Sequence, residues 1–208
     1  MTHAPRGCSA RLALFACCAF TLLVARGAGA KEVAPFRAAL AVRWGEGAGS
    51  DAFRDDLSRS LAASLAGRCF AGVVIAERDP EPAGVDLVLT VVLSRVVDET
   101  RFDDSIATTL QPGEPAKELR RVTRIEVAVD ATLSARATAA LVRRKHFVAN
   151  VSRRPNYVGE DPQTTARAEV IDDIVANLAR GLGCGGAKLE RKIREALGMV
   201  GEAPAGPR

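Results

Sequence analysis

From Ile125 to Ser134 the chain alternates without a break. Ile125, Val127, Val129, Ala131 and Leu133 interleave with the small or polar Glu126, Ala128, Asp130, Thr132 and Ser134. Successive side chains of a strand point to opposite faces, so this period of two predicts a strand with one buried and one open side. Such a strand needs a second layer against its apolar side. Two neighbouring segments read the same way. Val85 to Val97 (VDLVLTVVLSRVV) is dense in β-branched residues and is predicted as a long strand whose central run is buried on both faces. Ala140 to Val151 follows a short break at Ala135 to Thr138 and is predicted to pair with the alternating strand as an antiparallel hairpin.

The covering layer is also visible in the sequence. Phe53, Leu57, Leu61 and Leu65 recur every four residues after a capping Ser50 or Asp51 and end at Gly67, which predicts a first helix. Asp161-Pro162 opens a second helix, with Val170, Ile171, Ile174, Val175, Leu178 and Leu182 on its apolar face and Gly181 to Gly186 closing it. Phe36 to Arg43 and Phe70 to Ala76 are short strands, and Leu189, Ile193 and Leu197 mark a short third helix. The predicted order is β-α-β-β-β-β-α. It predicts an α+β fold, a mostly antiparallel sheet with two helices packed on one face. The expected organisation is a signal peptide at 1–30, one α+β domain at 31–185, a short C-terminal helix at 186–200 and a disordered tail at 201–208.

The signal peptide rests on Arg6 and Arg11, the apolar run Leu12 to Ala25 and the small residues Ala28-Gly29-Ala30. A basic stub, a short apolar stretch and an A-x-A step suit export, with Ala28 and Ala30 forming the cleavage step and a mature chain from near Lys31. The run is short of the roughly 20 residues of a membrane-spanning helix, so no integral span is expected after cleavage. The expected location is the periplasm or the exterior. A lipoprotein alternative would use Leu14-Phe15-Ala16-Cys17, but Phe15 is bulky where a small residue is wanted.

Removing the signal changes the composition. The chain has 29 Lys and Arg against 25 Asp and Glu, and three of the basic residues (Arg6, Arg11, Arg26) leave, so the mature balance is 26 against 25, or +1. A nucleic-acid partner loses its electrostatic basis. Cys8, Cys17 and Cys18 leave as well, and Cys69 and Cys184 remain. Two cysteines in an oxidising compartment predict one disulfide. Each follows the glycine-marked end of a predicted helix, so helices lying side by side would bring the pair together. The alternative is two separate buried thiols.

The element order resembles that of small cell-envelope modules: the N-terminal domain of the Tol-system propeller protein, the curli-secretion channel lipoprotein, penicillin-binding-protein activators and auxiliary lipoproteins of envelope transporters. The residues that carry it are Gly84-Val85-Asp86-Leu87-Val88-Leu89, similar to the acidic start of the central strand, and Val127 to Val151, similar to the hairpin. The chain departs from those families in having Ala135-Arg136-Ala137-Thr138 where a glycine turn is common. The resemblance implies an envelope accessory role.

No reaction centre emerges from the residue pattern, and no cofactor or metal is expected. Trp44-Gly45-Glu46-Gly47-Ala48-Gly49-Ser50 lies between a strand and a helix but fits neither phosphate-binding glycine spacing, which favours a plain connection. His146 is the one histidine after cleavage, so His-rich zinc sites are excluded. It could serve as a general base for Ser152, the basis of a hydrolase alternative, although no G-x-S-x-G elbow is present. The pairs Asp55-Asp56, Asp103-Asp104 and Asp172-Asp173 invite a carboxylate site, but the two helical pairs have neighbours about 100° apart and read as solvated faces. Five Phe, one Trp and one Tyr after cleavage argue against aromatic sugar or single-strand platforms.

Two features point outward. Arg143, Arg144, Lys145, Arg153 and Arg154 form a basic cluster that a strand must split between its faces, to be met by lipid phosphate, an acidic protein surface or the chain's own Asp98, Glu99, Asp103 and Asp104. Asp98 to Arg120 is read as a long polar connection, with Pro112-Gly113-Glu114-Pro115 as a projecting tip. The expected function is a non-catalytic envelope interaction or assembly module with a protein partner, contacting it through Asp103, Asp104, Pro112, Glu114 and the basic cluster. The alternative is an envelope-lipid accessory protein that holds an anionic amphiphile against Val85 to Val97 and the basic hairpin.

Overall fold

The computed structural model describes residues 35–45, 50–76, 83–103 and 119–199, all within the unit Val33–Arg208. Ala28, Ala30, Cys17, Asp104, Pro112, Glu114 and the 201–208 tail lie outside the described residues.

Five strands form one sheet: β1 (Arg37–Trp44), β2 (Gly72–Ile75), β3 (Leu87–Phe102), β4 (Arg121–Ala135) and β5 (Leu141–Arg153), in the order β2-β1-β3-β4-β5. β1 pairs in parallel with both β2 and β3, while the longer β3–β4 and β4–β5 ladders are antiparallel. Among the described residues three helices pack with this sheet: α1 (Asp51–Leu65), α2 (Pro162–Leu182) and α3 (Ala187–Ala196). The chain is an α+β protein with a mostly antiparallel sheet.

The core lies between the helices and one side of the sheet. Leu57, Leu61 and Leu65 of α1, Ile174 and Leu178 of α2, and Leu40, Leu89 and Leu133 of the strands are completely buried in one cluster. Each such side chain contributes about 1.5–3 kcal/mol by leaving water. Leu189 and Ile193 of α3 enter the same cluster, and Thr138 Oγ1 donates to the Ala196 carbonyl oxygen at 2.7 Å, fastening α3 to the β4–β5 turn.

α2 starts where its sequence signals it. The Asp161 carboxylate accepts from the backbone N–H of Gln163 (3.1 Å) and Thr164 (3.3 Å), and Pro162 occupies the position that has no N–H partner to lose. It stops at Gly183, whose φ of 78° suits a residue without a Cβ. The Cys184 N–H then donates back to the Ala179 carbonyl oxygen.

Two expectations are corrected. The central run of β3 is buried on one face, not both: Leu87, Leu89, Val91 and Leu93 are buried, whereas Val88, Thr90 and Val92 are only half-buried. β-branched density makes a good strand but does not supply a second covering layer. The polar segment from Asp98 is also not all connection. Asp98 to Phe102 continue β3 and pair with Ile125 to Arg121, because side chains of α2 and cross-strand hydroxyls satisfy the polar groups there. Gln163 Nε2 and Arg167 Nη2 donate to the Asp98 carboxylate at 3.0 and 2.8 Å, and the Thr100 and Thr123 hydroxyls lie 3.0 Å apart.

Candidate functional site

The strand register divides the basic cluster between the two faces of β5. Arg143, Lys145 and Arg153 stand opposite Leu133, Ala131 and Thr123, on the helix side. Arg144 and His146 stand opposite Thr132 and Asp130, on the side that no described helix covers.

On the helix side the cations meet α2. Arg143 Nε donates to the Gly181 carbonyl oxygen at 3.1 Å, a favourable place for a cation because the last carbonyls of a helix carry partial negative charge. The Lys145 stem crosses Gly181 so closely that a Cβ there would sit 3.2 Å from Lys145 Cγ. Arg153 donates through Nε to Glu169 Oε2 at 2.6 Å and through Nη2 to Oε1. These bonds hold the Glu169 carboxyl below its usual range and raise Arg153 in turn. Arg154 pairs with Asp103. Of the acidic residues considered as internal partners, Asp103 takes one cluster cation, Asp98 takes Arg167 instead, and Glu99 takes Arg101.

On the open side, His146 Nδ1 donates to Asp130 Oδ1 at 3.0 Å. This oriented pair comes from the register, which places the two residues directly opposite each other. The hydroxyl considered as its nucleophile is out of reach: Ser152 lies six residues further along the strand, about 20 Å at 3.3 Å per residue. Arg144 is exposed and meets no carboxylate among the described residues.

The acidic pairs on helices are engaged locally. Asp55 accepts from Arg54, Asp56 from Arg59, and Asp173 from Asn177. Among the described residues no group of three or more His, Cys, Asp or Glu side chains is placed to hold a metal ion. No described helix is long and apolar enough to cross a membrane. The core-facing side of Val85 to Val97, where an amphiphile was considered, is filled by α1 and α2 side chains. Asp86, the acidic residue of the central-strand motif, accepts the Arg37 N–H at 2.8 Å and fastens the start of β1 to the start of β3.

Phe102 at the end of β3, and Tyr157 and Val158 in the β5–α2 connection, are large apolar side chains 58%, 65% and 50% exposed. The Arg154–Asp103 pair ties these two segments together. The polar sequence around Phe102 reads as a connection, and nothing in it distinguishes an outward-facing aromatic at the end of a ladder from one in a loop.

No family model matches the chain. No curated protein matches it either. Similar solved structures include a DUF330 protein from Xanthomonas campestris (12% identity, 73% of this chain and 90% of that one, TM-score 0.42). They also include a minor lipoprotein from Acinetobacter baumannii (12% identity, 71% and 90%, TM-score 0.36). A third is lipoprotein B from Nitrosomonas europaea (14% identity, 74% and 91%, TM-score 0.31).

Proposed function

We propose that this chain is a non-catalytic, exported cell-envelope module that works by holding another envelope protein, with the far end of the β3–β4 ladder as its contact element. The observation that carries this reading is Phe102, an aromatic side chain 58% exposed at the last rung of the β3–β4 ladder, whose end the Arg154–Asp103 pair ties to the segment after β5. An aromatic side chain held outward at the end of a paired strand is placed to meet a partner. The polar segment 104–118, with Asp104, Pro112 and Glu114, follows that rung in sequence and is proposed as part of the contact element. The resemblance of the element order to envelope accessory modules agrees with this reading.

The test is photo-crosslinking in the native envelope from an unnatural amino acid at position 102, with position 59 on α1 as control. Discrete protein adducts from 102 and none from 59 are expected. No adduct from 102, or the same adducts from both positions, would contradict the reading.

A further inference from the structure

We infer that the outer edge of β5 is a strand-addition site for an acidic extended segment of a partner protein. β5 ends the strand order, so along its 13 residues no described strand pairs with its outer side. An edge of that length presents a row of backbone N–H and C=O groups ready to pair with another chain.

The side chains along this edge define what would fit. Arg144, His146 and Val148 face the open side in succession, and Val148 is 51% exposed. Phe147 and Val151 lie on the helix side, each half-buried against the core. A strand laid alongside would cover Phe147 and Val151 with one set of alternate residues and meet Arg144 and His146 with the other. On the open side Arg144 forms no ion pair among the described residues, and Asp130 answers only His146. Carboxylates at alternate positions of the incoming strand therefore complement the edge. A second copy of β5 crossing antiparallel about Lys145 would set Arg144 against His146 and Lys145 against its own copy, which disfavours self-pairing.

This inference rests on reading the chain as an interaction module but uses a different surface from the β3–β4 end, and purified protein tests it whatever segment 104–118 does. The probe is a fluorescent peptide of about nine residues alternating Glu and Val, compared with Glu–Pro and Lys–Val peptides of equal length. The Glu–Val peptide is expected to bind and to slow hydrogen exchange in β5. Arg144→Glu is expected to weaken it at least about tenfold and to favour the Lys–Val peptide instead. Arg144→Gln replaces that variant if it melts early. Equal binding of the Glu–Pro peptide would reduce the effect to charge alone and overturn the proposal. Protection away from β5 would overturn it too, as would a lack of binding combined with self-association of the Gln variant, which would show that the cations merely guard the edge.

Discussion

Cys69 and Cys184, 115 residues apart in sequence, are joined by a disulfide with their Cα atoms 4.6 Å apart. Each follows the C-terminus of a helix and donates its backbone N–H into that helix's last turn, Cys69 to the Leu65 carbonyl and Cys184 to the Ala179 carbonyl. The bond thus ties the ends of α1 and α2, the two helices that cover the sheet.

Closing so long a loop restricts the unfolded chain, and the entropy model gives about 4–5 kcal/mol. The double variant Cys69→Ser/Cys184→Ser should lose about 4 kcal/mol in denaturant titration of the mature protein. Its unreduced, unfolded parent should show no thiol that can be alkylated. Two reactive thiols, or a loss under 1 kcal/mol, would contradict this account.

Trp44 packs its ring 6.1 Å from that of Phe53, yet its buried Nε1 meets no acceptor among the described residues. An unmet buried donor costs about 1–3 kcal/mol, which offsets part of what the larger ring gains by packing. Trp44→Phe should therefore change stability by less than about 1 kcal/mol, whereas Trp44→Ala should lose about 3 kcal/mol. Thermal melts of the two variants check this. A Phe variant as damaged as the Ala variant would show that the indole N–H is satisfied in solution.

Asp161 and Glu169 are both held below their ordinary values, Asp161 first by the Thr164 hydroxyl and then by the Gln163 N–H, Glu169 by Arg153. A carboxyl depressed in the folded state stabilises it at pH above the unfolded value, about 4, and that contribution disappears as pH falls through the folded value. The Tm should fall as pH drops from about 4.5 towards 2. Asp161→Asn/Glu169→Gln should flatten that decline while lowering the neutral-pH Tm. An unchanged slope in the double variant would place the acid sensitivity elsewhere.

What the sequence made legible follows from the strength of each local signal. β4 and β5 were readable because strict alternation has one structural solution, and α2 because Asp161-Pro162 and Gly183 mark its two ends. The length of β3 was not, since Asp98, Glu99, Thr100 and Arg101 look like loop residues until Arg121 to Ile125 and α2 satisfy them. Burial of β3 on one face was hidden for a related reason: β-branched residues report strand preference, not the number of layers. The β4–β5 turn carries no glycine, and Ala139 takes a φ of 55° instead, a conformation that its sequence does not advertise. The Asp130–His146 pair and the division of Arg143 to His146 between two faces needed the hairpin register, which depends on that turn and on the shift next to Leu133. The contact role of 104–118 is a proposal on the sequence's length and polarity.

The most direct measurement replaces 104–118 by a short Gly-Asn turn between Asp103 and Leu119 and compares the envelope proteins captured by the variant and the parent. The ladder is already closed by Phe102 opposite Arg121 and by the Asp103 N–H donating to the Arg120 carbonyl, so the variant should fold with stability changed by only about 1 kcal/mol. Its capture of the native partner should be lost. A variant that folds and still captures every partner of the parent would contradict the central claim, and one that melts far below the parent would show that the segment belongs to the core.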